Sequence, residues 1–95
     1  VGHVPLVPYF PPGDTRVADY VERLNNEACA KGLQLRAVMC DRLGPQVWNE
    51  TPSSAMATLE ELEETAKLWL RGNMSAQPLS ATEIEELRQQ FKVKW

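Results

Sequence analysis

The stretch LQLRAVMCDRLGPQVW, residues 33–48, decides the fold of this 95-residue chain. Its middle, AVMC at residues 37–40, is continuously apolar, which is typical of a β-strand that is covered on both faces. We therefore expect residues 33–40 to form a central strand. Residues 41–45 contain a Gly-Pro pair and break the pattern as a loop, and residues 46–48 resume it as a short strand.

The chain before this strand predicts an edge strand and an amphipathic helix. Residues 1–10 are apolar, but Pro5 and Pro8 lack the backbone N–H that a ladder needs, which restricts the segment to the edge of a sheet. Asp14 follows a Pro-Pro-Gly turn and is a good N-cap, while Gly32 is a natural end for the helix. The apolar residues between them recur at helical spacing: Val17, Tyr20, Val21, Leu24 and Ala28.

Two further helices are predicted after the second strand. Thr51 as N-cap and Pro52 at the first helical position open one of them, and Gly72 closes it. Ser80 and Glu83 form a capping box that opens the other. The apolar stripe of the first of these helices consists of Ala55, Met56, Leu59, Leu62, Ala66, Trp69 and Leu70, and that of the second of Ile84, Leu87 and Phe91.

The predicted order of elements is β-α-β-β-α-α, an α/β arrangement. Three short strands make a poor independent sheet, because stable sheets usually contain more strands and a covered face. We therefore expect further strands, supplied by an upstream segment or by another chain.

Composition excludes several classes of function. A hydrophobic fraction of 43% and a charged fraction of 24% are ordinary for a globular protein. The net charge of -3 and the scattered positions of the 10 basic residues argue against nucleic-acid binding. There is no apolar run of ~20 residues and no signal segment, so we expect no membrane role. Two cysteines, Cys29 and Cys40, make no disulfide framework, which favours a cytoplasmic location.

Four segments together indicate a family. They are GHVPLVPY at residues 2–9, PGD at residues 12–14, LGP at residues 43–45 and ELEETAKL at residues 61–68. In this order they resemble the class II aldolase/adducin N-terminal family. The likeness is closest to its sugar-acid branch, the 3-oxo-tetronate 4-phosphate decarboxylase type.

The resemblance implies an α/β/α sandwich with a mainly antiparallel sheet, of which residues 1–95 are the C-terminal part of a single domain. It also implies a homotetramer in carbohydrate metabolism, a divalent metal that is commonly zinc, and a small phosphorylated keto-sugar or 3-oxo sugar acid as substrate. In the family, two histidines of an upstream H-x-H motif and a third directly before the Gly-Pro turn hold the metal. An upstream acidic residue transfers the proton. The metal acts as a Lewis acid on the charge left by C–C cleavage.

The sequence departs from this family pattern at the metal site. The H-x-H motif and the upstream acidic residue have no counterpart, so we expect the metal-binding half of the domain to lie before residue 1. Leu43 stands directly before the Gly-Pro turn and has no lone pair for a metal. Asp41 and Asn49 are nearby oxygen donors. For these residues alone we expect no metal and no activity.

Four residues are candidates for chemistry. His3 is the lone histidine and a weak candidate for a metal ligand or for acid/base work, although a solitary histidine is more often structural. Cys40 offers a soft ligand, but a buried cysteine usually only packs. Arg42 is a candidate for binding a carboxylate or phosphate of the substrate, against a surface salt bridge. Tyr9 is a candidate proton donor. The alternative for each is a purely structural role.

Two functions follow from these observations. The first is part of a metal-dependent lyase, an aldolase or decarboxylase. The alternative is a non-catalytic, adducin-like oligomerisation module that has lost the metal site, which Leu43 favours and in which Trp69 serves subunit contacts. An unrelated small helical adaptor is a third possibility, because each motif is weak alone.

Overall fold

The computed structural model describes residues 2–95. Its elements are β1 (Leu6–Val7), α1 (Thr15–Ala30), β2 (Ala37–Cys40), β3 (Gly44–Val47), α2 (Pro52–Arg71) and α3 (Ala81–Phe91). The strands form one sheet in the order β1-β2-β3, which confirms that β2 is the central strand. Within the described residues, no helix combines the length and the apolar character that crossing a membrane requires.

The sheet is mixed. β1 runs parallel to β2, with Val7 opposite Cys40, whereas β3 runs antiparallel to β2, with Cys40 opposite Gly44. The parallel pair arises because α1 carries the chain back across the sheet, and the antiparallel pair is a tight hairpin. The expectation of a mainly antiparallel sheet is therefore met only in part, because these residues form one pair of each kind.

The bounds of all three strands differ from the prediction. β2 begins at Ala37 and not at residue 33, because only residues 37–40 pair with the neighbouring strands. β1 contains only two residues instead of the predicted 1–10, because Pro5 and Pro8 flank it and neither can donate to a ladder; Val1 lies outside the described residues. β3 begins at Gly44, so the predicted loop 41–45 is shorter. Pro45 pairs with Met39 there, which an edge strand tolerates.

The core lies between β2 and α1. Val7, Val38 and Cys40 are buried, and Tyr20, Val21 and Leu24 of α1 pack against them together with Phe10 and Trp48. The apolar stripe that was predicted for α1 is thus the face that covers the sheet. This packing fixes β1 and β2, and with them the residues that follow each strand.

The three helices begin where their capping residues predict. Asp14 accepts a hydrogen bond from the Arg16 backbone N–H at 2.9 Å. Thr51 caps α2 together with Ser54, and Ser80 forms the predicted capping box with Glu83 at the start of α3. Each cap satisfies N–H groups that the first helical turn leaves without partners.

Only the first half of α2 packs on the sheet. Thr58 is buried near β3, but Leu68, Trp69 and Leu70 in the last turns are exposed by 65%, 42% and 66%. Leu6, on the sheet face opposite to Val7, is exposed too. The apolar stripe of α2 therefore continues past the part of the sheet that these residues form.

Candidate functional site

Polar side chains gather where β1 and β2 end. Tyr9 follows β1 by two residues, and Asp41 and Arg42 follow β2 directly. The carboxyl ends of parallel strands meet at one edge of a sheet, and ligands of open α/β sheets bind outside that edge. The backbone N–H of Asp41 donates to the Val7 carbonyl at 2.9 Å, which ties the turn after β2 to β1.

The structure brings Arg42 and Tyr9 together. The guanidinium carbon of Arg42 lies 5.5 Å from the centroid of the Tyr9 ring, within the range of a cation–π contact. The Arg42 Nε is 3.8 Å from Asp41 Oδ2, an ion pair that is too long for a hydrogen bond. Two candidates that are 33 positions apart in sequence thus share one surface with a carboxylate beside them.

The backbone of Arg42 is left-handed, with φ 63°. Glycine and asparagine adopt this conformation easily, whereas an arginine pays about 1 kcal/mol for it. The Leu43 N–H donates to the Cys40 carbonyl at 3.1 Å and closes the turn around it. The hairpin, rather than the preference of the residue, therefore sets the position of Arg42.

Leu43 faces different surroundings. It lines an open groove of about 840 Å³ between the first half of α1 and the β2–β3 hairpin. Val17, Val21 and Trp48 also line this groove, which makes much of its wall apolar, and neither Tyr9 nor Arg42 takes part. Leu43 occupies the position at which the family resemblance predicts a metal ligand, and it is thus an apolar side chain on a mainly apolar surface.

His3 lies apart from the Tyr9 and Arg42 surface. It lines a separate cavity of about 140 Å³ with Lys31 and Trp95, before β1 rather than after it. The structure therefore does not bring the lone histidine together with the other candidates.

Cys40 and Asn49 have structural surroundings. Cys40 is buried in the core beneath α1, as a packing cysteine is. The Asn49 Oδ1 accepts hydrogen bonds from the Arg36 guanidinium and from the Glu50 N–H, and its Nδ2 donates to Thr58 Oγ1 at 3.3 Å. Asn49 thus links the end of β3 to α2, and its oxygen is already occupied by donors.

The side chains of residues 2–95 do not fit a metal centre. No three His, Cys, Asp or Glu side chains in this range come together as a ligand group. His3 faces one cavity, Cys40 the core, and the Asp41 carboxylate the cationic Arg42. A metal site needs several converging donors, commonly four for zinc, and these three are dispersed.

Sequence reasoning missed one electrostatic feature at the groove. Asp14 does more than cap α1, because the Arg16 guanidinium binds its carboxylate with an Nη2 to Oδ2 distance of 2.7 Å. The hydrogen bonds from the side chain and backbone of Arg16 lower the pKa of Asp14 to about 2. The signal that predicts this pair is an acidic N-cap residue followed two positions later by a basic residue. Asp14 is therefore a fixed anion and not a proton acceptor near neutral pH.

These features describe an α/β domain whose polar candidates gather at the carboxyl ends of its parallel strands. The family model of the class II aldolase and adducin N-terminal domain matches residues 1–70. The chain belongs to this family.

Curated relatives agree with this assignment. The chain is 43% identical over 100 residues to the 3-oxo-tetronate 4-phosphate decarboxylase of Cupriavidus necator, an alignment that covers 100% of the chain and 43% of the relative. It is 40% identical over 89 residues to the enzyme of the same name from Escherichia coli strain K12, with 93% and 39% covered. The relative of that name from Pectobacterium atrosepticum is 36% identical over 88 residues, with 92% and 37% covered. The chain thus spans about two fifths of the length of these relatives. No solved structure matches it.

Proposed function

We propose that this chain forms the C-terminal part of a carbon–carbon lyase that decarboxylates a small phosphorylated 3-oxo sugar acid. The observation that carries the proposal is the meeting of Tyr9, Asp41 and Arg42 at one sheet edge. It is supported by identities of 36% to 43% to relatives that are named as decarboxylases of 3-oxo-tetronate 4-phosphate.

The proposed reaction requires one proton donor. The bond between the carboxylate carbon and the neighbouring carbon breaks, and its electron pair forms the double bond of an enolate at the adjacent ketone. Carbon dioxide leaves uncharged, and the carbon that it leaves then takes up a proton. We assign that proton to the Tyr9 hydroxyl, because Tyr9 is the exposed acid beside Arg42, and the tyrosinate recovers its proton from water.

The remaining parts of the proposal concern the complete protein. The class II aldolase family is generally metal-dependent. Because the side chains of residues 2–95 do not fit a metal, we propose that a divalent ion, zinc, is held by other residues of the complete domain. A homotetramer in the cytoplasm belongs to the same proposal, and the exposed end of α2 offers it apolar surface.

A chimera tests the proposal. The 95 residues are joined behind the N-terminal part of the Cupriavidus necator relative, and release of carbon dioxide from 3-oxo-tetronate 4-phosphate is measured. We expect activity in the unmodified chimera. A folded chimera that releases no carbon dioxide contradicts the proposal.

Leu43 favours a second function, a non-catalytic, adducin-like assembly module. At this position the chain offers a methyl-bearing side chain to an apolar groove instead of a metal donor. The same chimera carrying Leu43→His separates the two functions. Activity that appears only with the histidine indicates a domain that has lost its chemistry, whereas equal activity with and without it supports the lyase.

A further inference from the structure

We infer that Arg42 binds the phosphate group of the substrate and not the carboxylate that leaves as carbon dioxide. This inference rests on the proposed function. It chooses between the two anionic groups that such a substrate carries.

The guanidinium of Arg42 is available to a ligand. Its side chain is 75% exposed, and its ion-pair contact with Asp41, at 3.8 Å, is made through Nε. Arg16 and Arg36, by contrast, donate hydrogen bonds to Asp14 and Asn49. Arg42 is therefore an exposed cation at the sheet edge.

Tyr9 restricts the direction of approach. Its ring lies 5.5 Å from the guanidinium carbon, so one face of the cation is partly covered. An anion then approaches Arg42 along the edge of the guanidinium plane. That approach gives the paired, two-oxygen contact which phosphates and carboxylates both make with arginine.

The movement of charge during the reaction argues against the leaving carboxylate as the partner of Arg42. During decarboxylation the carboxylate loses its negative charge, which moves to the ketone oxygen. A cation on the carboxylate would stabilise the substrate more than the transition state, and this slows the reaction. The phosphate keeps its charge throughout, so a cation there binds substrate and transition state equally.

The exposure of Arg42 among residues 2–95 argues against the ketone oxygen as its partner. A cation stabilises a developing oxyanion strongly only where water is excluded, because water screens the interaction. Arg42 is 75% exposed, which suits uniform binding of a solvated phosphate. The phosphate is the group that remains.

Titration of the ¹⁵N-labelled chain, followed by nuclear magnetic resonance, tests the inference. Glycerol 3-phosphate and glycerate serve as probes, because each has a three-carbon skeleton with one anionic group. We expect glycerol 3-phosphate to shift the amide signals of Tyr9, Asp41 and Arg42, and to bind at least about fivefold more tightly than glycerate. Arg42→Gln should weaken phosphate binding about fivefold, the scale of an exposed charge pair. Arg71→Gln, which removes the same charge from the end of α2, should leave it unchanged.

Three results overturn the inference. They are equal or tighter binding of glycerate, shifts that map away from the sheet edge, and equal losses in Arg42→Gln and Arg71→Gln. The outcome is independent of carbon dioxide release by the chimera. If the chimera is inactive but its 95 residues still bind glycerol 3-phosphate through Arg42, the proposed decarboxylase activity is refuted and the inference about Arg42 stands.

Discussion

Arg42 and Leu43 are neighbours in one turn but face two different surfaces. Arg42 contacts the ring of Tyr9 at the carboxyl ends of β1 and β2, whereas Leu43 lines the apolar groove beside α1. We propose that the first surface binds an anion through Arg42 and moves a proton through Tyr9. The second places an apolar side chain where the family resemblance leads one to expect a metal ligand. Under this proposal, adjacent positions keep and lose the features of one active site separately.

Both surfaces depend on β2. We therefore expect the largest loss of stability from a substitution of a buried residue in this strand. Val38 is fully buried, so Val38→Ala should lower the free energy of unfolding by about 2 kcal/mol through lost burial and a small cavity. Urea denaturation followed by circular dichroism measures the change. Leu6→Ala, at an exposed position of the adjacent strand, is the control and should change stability by less than about 0.5 kcal/mol. Equal effects would show that α1 does not cover the sheet as described.

Shortening the Leu43 side chain, which lines the groove, should have a smaller effect on stability. Leu43 is 50% exposed, so Leu43→Ala should destabilise the chain by about 1 kcal/mol, roughly half the value for a fully buried leucine. The same urea titration measures it. A change near zero would mean that Leu43 is not part of a packed wall.

On the other side of the turn, a substitution should separate stability from binding. Asparagine tolerates the left-handed backbone of position 42, so Arg42→Asn should stabilise the chain by about 0.5 kcal/mol. It should also weaken the binding of glycerol 3-phosphate about fivefold, as Arg42→Gln does. Arg42→Val is the matched opposite, because a β-branched residue is strained at this φ. If both variants destabilise the chain equally, the backbone of the turn does not have the described conformation.

Asp14, which lines the groove, should make the stability of the fold depend on pH. The pKa of Asp14 is lowered in the folded chain from 3.8 to about 2, so the carboxylate binds its proton less readily there than in the unfolded chain. Its contribution to stability is complete above about pH 4 and is lost as the pH falls toward 2. Thermal unfolding between pH 2 and 5 measures this loss. Asp14→Asn should flatten the curve in this window, while Asp19→Asn, at an exposed position in the same helix, should not.

The sequence predicts local features of this fold better than distant ones. The caps at Asp14, Thr51 and Ser80 were predicted because their partners lie two or three residues away. The central strand was predicted because its apolar run is continuous. The start of β3 at Gly44 was missed, since it depends on pairing across the hairpin.

The candidate site divides in the same way. Tyr9 and Arg42 were each predicted as candidates, but their contact depends on the register between β1 and β2, which no local pattern reports. The bond between Arg36 and Asn49 joins residues 13 positions apart and was likewise invisible. Residue types thus predicted which groups are candidates for chemistry, and the sheet determined which of these candidates meet.

Removal of the Tyr9 hydroxyl is the most direct test of the proposed lyase activity, because Tyr9 is the proposed proton donor. In the active chimera, Tyr9→Phe removes only the hydroxyl, and Tyr20→Phe removes the same group from a partly buried residue that packs against the core. Carbon dioxide release from 3-oxo-tetronate 4-phosphate is measured for both. We predict that Tyr9→Phe lowers kcat about 100-fold and that Tyr20→Phe leaves it within about twofold of the parent. Equal rates for Tyr9→Phe and the parent chimera would contradict the account.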